Sequence, residues 1–223
     1  LNVDTANKDA GLFGAVNNAR IENLGVVGAT VKSSNTTGIV GGIVGEARGS
    51  SVLQNLYNEP DANSKGQIGG GQVVGGLVGQ LNSDVKLLSS YNTTPVTGAT
   101  GAAGGLAGRI ENGSTITDAY NSGTVSGSTK RVYGIGYNPG TGATITRVYN
   151  TTVGLDLTAQ KDGVAQSYNF ATNPAKNSNN VDISGAKNIS TYQTAAGAYA
   201  ATGWSDTDIS ADGKYIAIYG NQS

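Results

Sequence analysis

The chain has 223 residues, 14 basic and 15 acidic, a formal charge of −1, and no Cys, Met or His. Without thiolate or imidazole, zinc, haem and iron–sulfur centres of the usual kinds are excluded, as are His-dependent triads and Cys nucleophiles. Scattered basic residues give no electrostatic footprint for nucleic acid, and no run of 18 apolar residues is present to span a bilayer.

Gly accounts for 35 residues, more than twice the ~7% average, and charged residues make 13%, about half the usual share. Yet 37% is hydrophobic, and Val, Ile, Leu and Ala fall in short, regular clusters, which argues for order. The chain starts at Leu1 without a basic-then-apolar leader. It reads as an excised or processed piece of something longer, with further domains attached. Absence of Cys is compatible with secretion, provided that stability comes from elsewhere than disulfides.

In chain order, Gly–apolar–apolar–Gly recurs at Gly11–Gly14, Gly42–Gly45, Gly76–Gly79 and Gly105–Gly108, with a decayed copy from Gly134 to Tyr137. Tyr-Asn follows at Tyr57-Asn58, Tyr91-Asn92, Tyr120-Asn121, Tyr149-Asn150 and Tyr168-Asn169. From Gly42 onward the first Gly precedes its Tyr by 15 residues in four successive units, while unit starts lie 31, 34, 29 and 29 residues apart. A constant internal offset with variable outer spacing means a fixed-length core element plus loops that take insertions. Four residues before each Tyr sits a large aliphatic (Leu53, Leu87, Ile116, Ile145), and another apolar touch comes after it at Val96, Val125 and Val153. The composition and turn signals predict about three strands of three to five residues per unit. In the first unit, Gly25 stands where the Tyr is due.

Such a unit cannot bury an apolar face alone, so units must stack. The expected fold is all-β: a parallel β-solenoid, right-handed, of about five coils spaced ~4.8 Å apart. Motif glycines are expected to permit positive φ at corners and to let backbones approach closely. Asn58, Asn92, Asn121 and Asn150 would form an amide ladder at one corner. Tyr57, Tyr91, Tyr120 and Tyr149 would stack ring on ring. Repeats would fill residues 1–169, with more coils upstream in the parent. Residues 170–223 would form a loop-rich flank, with a short helix over 189–202 and a strand over 215–219, folding over the stack end as a cap.

These repeated marks resemble the GLUG repeat of large secreted bacterial surface proteins. The resemblance implies a filamentous-haemagglutinin-like or high-molecular-weight adhesin of the two-partner secretion type, located outside the cell or on its surface. Its partner would be a host cell-surface protein or glycan. The alternative it leaves open is a non-catalytic accessory domain of a secreted hydrolase, such as an IgA-cleaving metallopeptidase.

Glu59 with Asp61, Glu111 with Asp118, and the trio Asp206, Asp208 and Asp212 were the carboxylates to weigh for acid–base chemistry. None forms a motif, so neither an enzyme nor a cofactor is expected. The 206–213 stretch departs from calcium-loop spacing. Sequons stand at Asn35, Asn92, Asn112, Asn150, Asn188 and Asn221, the ladder positions Asn92 and Asn150 being poor acceptors for a sugar. Thr115-Ile116-Thr117 and Thr144-Ile145-Thr146 would set a hydroxyl array two coils deep. The sequence-distinct loops are Glu59–Gln72 and the Lys130-Arg131 step with Tyr133. They make Glu59, Asp61, Lys65, Lys130, Arg131 and Tyr133 the candidate contact residues.

Overall fold

A computed structural model describes residues 1–63, 66–111, 113–128, 131–137, 143–150, 156–159 and 187–188. The 170–223 flank, apart from residues 187–188, lies outside them, as do Lys65, Lys130 and Asn112. Every regular element among the described residues is a β-strand, and every strand pairing is parallel.

The strands collect into three sheets that the chain visits in turn. The first holds Asn2–Thr5, Thr30–Ser33, Gln67–Gly70, Val96–Gly98 and Val125–Gly127. The second has two ranks. Its leading rank is Asp9–Ala10, Ile39–Gly41, Val73–Gly75 and Ala102–Gly104, and its trailing rank is Phe13–Asn17, Val44–Arg48, Val78–Asn82 and Ala107–Ile110. Both ranks meet in Val132–Tyr137, on which Asp156–Ala159 pairs. The third holds Arg20–Val27, Val52–Glu59, Lys86–Leu88 with Tyr91–Asn92, Thr115–Asn121 and Thr144–Asn150, and Lys187–Asn188 adds to it. This is the expected parallel β-solenoid.

Five strands on the first sheet bracket about four full turns rather than five, because a turn closes only on return to its starting sheet. Each turn has four strand segments, not three. The Gly–apolar–apolar–Gly motif bends the chain between the two ranks of the second sheet, its second apolar residue opening the trailing strand. Of the Glu59–Gln72 stretch, residues 67–70 are first-sheet strand, with Ile68 wholly buried between Val31 and Val96. Only residues 60–66 are insertion.

Equivalent residues form columns. Leu53, Leu87, Ile116 and Ile145 lie in register and are fully buried, as are both apolar residues of each motif from Ile43-Val44 to Leu106-Ala107. Burying each such side chain contributes about 1.5–3 kcal/mol. That is what makes stacking favourable for turns too thin to fold singly.

Candidate functional site

Two columns on the third sheet carry the repeat's signature. Inside, the Asn of each Tyr-Asn pair is fully buried at Asn58, Asn92, Asn121 and Asn150. Asn92 Nδ2 donates to Asn121 Oδ1 at 2.9 Å, and Asn121 Nδ2 to Asn150 Oδ1 at 2.9 Å. The same amides tie down the turn that follows. Asn92 Nδ2 also donates to the Thr94 carbonyl (2.9 Å) and Asn92 Oδ1 accepts the Thr94 N–H (3.2 Å), while Asn121 Nδ2 donates to the Gly123 carbonyl (2.9 Å). The ladder therefore has a direction over three turns: the Nδ2 of Asn92 and of Asn121 points to the Oδ1 of the next turn. Asn58, expected as its first rung, is not bonded into it, and on its other side Val26 holds the position in register with it. Asn58 Oδ1 is accordingly a buried acceptor without a donor, and its Nδ2 turns to the Gly76 carbonyl (3.0 Å).

The amides lie across the interior from the motif. A Cβ on Gly42, Gly76, Gly105 or Gly134 would strike the amide of Asn58, Asn92, Asn121 or Asn150 of the same turn. This contact explains the constant offset between motif and Tyr-Asn pair. It also separates the two expected roles of the glycines, bearing out the close approach and overturning the positive φ. None of Gly42, Gly45, Gly76, Gly79, Gly105 or Gly108 has positive φ; they are glycines because backbone and amide approach too closely for a side chain. A further Gly precedes each motif, at Gly41, Gly75 and Gly104, and a Cβ there would meet the neighbouring turn's backbone. Sequence reasoning missed it, although Gly-Gly was visible in all three copies.

Beside the amides, Tyr57, Tyr91 and Tyr120 stack with centroids 5.4 and 4.8 Å apart and planes within 11°, Tyr91 and Tyr120 being buried themselves. Tyr149 continues their backbone register. Gly25 now has a reason: the Tyr57 ring lies over it, where a Cβ would collide. A second column went unread. Asn23, Asn55, Ser89 and Asp118, two residues before each Tyr position, are all left-handed, with φ between 46° and 55°. Asn55 Nδ2 donates to Asn23 Oδ1 at 2.8 Å. The bend lets Leu53 and Leu56 both point inward in one strand. A polar Asn, Ser or Asp within each apolar run was the available signal, since those residues tolerate this conformation.

The candidate contact residues do not form one site. Glu59 ends a strand, and its carboxylate accepts the Tyr91 hydroxyl. Asp61 is exposed and takes the Asn63 N–H at 3.0 Å. Arg131 is exposed, with its guanidinium 5.0 Å over the Tyr137 ring. Tyr133 is not in a loop: it is buried in Val132–Tyr137, its ring 6.1 Å from that of Tyr137. Tyr133 is in register with Gly104, and Tyr137 ends the decayed motif where the others have Gly. Of the weighed carboxylates, Glu111 is ion-paired with Arg109, while Asp118 belongs to the left-handed column. Thr115 and Thr117 lie in register with Thr144 and Thr146, but the preceding turn has Lys86 and Leu88 there. Among the described residues, no group of three acids is placed to hold a metal ion.

On the outer side of the trailing rank, Glu46 is nearly buried, paired with Arg48, and accepts from Asn82 Nδ2 at 2.9 Å. Burial raises its pKa, but hydrogen bonds from Arg48 and Asn82 and the charges of Arg48 and Lys8 more than offset this, leaving it below the ordinary carboxylate value. A depressed folded-state pKa adds stability that is present above the unfolded value of ~4.3 and is lost as pH falls through the folded one. Glu46→Gln should therefore lower the denaturation midpoint at pH 7. Wild type and variant should converge as pH falls below about 4, as urea titrations across that range would show.

Residues 99–126 match the family model of the GLUG motif. No curated protein and no solved structure matches the chain. The matched stretch is one full turn, running from the link before Ala102–Gly104 to the start of Val125–Gly127. The strand registers carry its positions into the neighbouring turns.

Proposed function

We propose that this chain is a segment of an exported bacterial adhesin, whose stacked turns act as a rigid spacer holding a recognition element away from the cell. The observation that supports it most directly is the pair of columns, buried amides from Asn92 to Asn150 and stacked rings from Tyr57 to Tyr120, which link successive turns. In such a stack, length grows with turn number at ~4.8 Å per turn and bending must break columns. An extracellular setting is in keeping with the GLUG motif, which is found in some extracellular proteins. The reading assigns no catalysis to this segment, since Glu46, Glu59 and Glu111 are each held by a structural partner. The contact surface for a host protein or glycan is placed at the insertion around Asp61 and at the Lys130-Arg131 step.

The test is attachment of bacteria producing the parent protein with residues 1–169 removed. Attachment should fall at least about tenfold and return when an equal number of unrelated solenoid turns is inserted. If the turns restore attachment only when residues 60–66 are grafted too, contact lies in that insertion. Undiminished attachment after the deletion overturns the reading.

A further inference from the structure

The first turn is built for a neighbour on its uncovered side. All the exposed large apolar residues among the described residues lie there: Leu1, Leu12, Phe13 and Val27. Phe13 is in register with Val44, which is wholly buried, as are Val78 and Ala107 further along the same column. Leu12 precedes Phe13 as the buried Ile43 precedes Val44. Val3, Val16, Ile21 and Leu24 are covered by the core on one side only.

Gly14 supplies the independent argument. The last glycine of each motif presses on the turn before it. A Cβ on Gly45 would stand 2.9 Å from Ala10 N, on Gly79 2.5 Å from Gly45 O, and on Gly108 2.7 Å from Gly79 O. Gly14 holds the same place in the first turn, yet a Cβ there would meet only the Asp9 carbonyl of its own turn, at 3.1 Å. This is the mildest contact of the four motif glycines, and glycine inside a strand weakens it relative to alanine. A glycine kept at that cost marks the close approach of another backbone.

We infer that the Asn2–Val27 edge is a stacking surface for one more parallel turn of the same repeat, supplied by chain on the N-terminal side of Leu1 in a longer protein. The occupant follows from the interface itself. The required partner offers strands in the register already repeated between turns, a backbone carbonyl over Gly14, and apolar side chains over Leu12 and Phe13. A repeat turn offers all three.

The experiment compares the 223-residue chain with one extended upstream by the residues its gene encodes, enough for a turn. In the shorter chain, Gly14→Ala should not lower the urea midpoint, whereas Gly79→Ala should. In the extended chain both should lower it, and exchange of the Gly14 amide in unsubstituted protein should slow about tenfold or more. Equal tolerance of Gly14→Ala in both chains, or unchanged exchange at Gly14, overturns the inference. So does a concentration-dependent dimer of the shorter chain that protects the same edge, since a second copy would then be its occupant.

Discussion

Asn121→Ala is expected to lower folding stability by about 3 kcal/mol or more, measured as the shift in urea unfolding free energy. The side chain has no exposure and sits mid-ladder, accepting from Asn92 and donating to Asn150 and to the Gly123 carbonyl. Truncation takes a bond from all three buried groups at once, and each buried polar group left without its partner costs about 1–3 kcal/mol. The cavity adds to this, because stacked turns on both sides prevent collapse. Asn35→Ala is the control. Asn35 also makes several hydrogen bonds, to Thr37 and to the Ala6 carbonyl, but in an exposed setting where water replaces them. Its change should stay within about 1 kcal/mol. Equal losses at the two positions would show that the ladder carries no special share of the stability.

Gly105→Ala is expected to be at least as damaging, at about 3 kcal/mol or beyond, with loss of soluble folded protein as its extreme form. The added methyl would enter the space of the Gly134 carbonyl and of the Asn121 amide, which is held by its hydrogen bonds to Gly123 and Asn150. Neither neighbour is the end of a flexible side chain, so relief requires separating two turns. At Gly69 a Cβ would meet only the Thr97 carbonyl, at 3.1 Å, and Gly69→Ala should change stability by less than about 1 kcal/mol. Circular dichroism melts of the two variants distinguish a close-approach role from a general glycine effect. Comparable melting temperatures would refute the packing account.

Much of the candidate scaffold was legible because repetition amplifies weak local signals. Leu53, Leu87, Ile116 and Ile145 precede their tyrosines by one constant interval, and that interval is the distance along a strand that the interior must fill. The Tyr stack and the Asn ladder followed from the same argument, since identical residues at identical places in stacked turns must meet. What was misjudged lay where a residue's meaning depends on what faces it. Tyr133 next to Lys130-Arg131 looked like a loop residue, but it occupies the column of Gly104 and is buried. Gln67–Gly70 looked like insertion because two of its four residues are glycine, yet Ile68 fills a column place between Val31 and Val96.

The one-dimensional order of residues by itself determined the period, the parallel stacking and the identity of the columns, since these depend only on like positions recurring at a fixed offset. The tertiary structure alone decided which side each column faces. It showed that, of their two expected roles, the motif glycines serve close approach rather than positive φ, and that Asn55, Ser89 and Asp118 adopt left-handed geometry within the strand. The physical reason is that spacing along a chain sets which residues can align, whereas close approach and left-handed geometry arise only once separate turns press on one another.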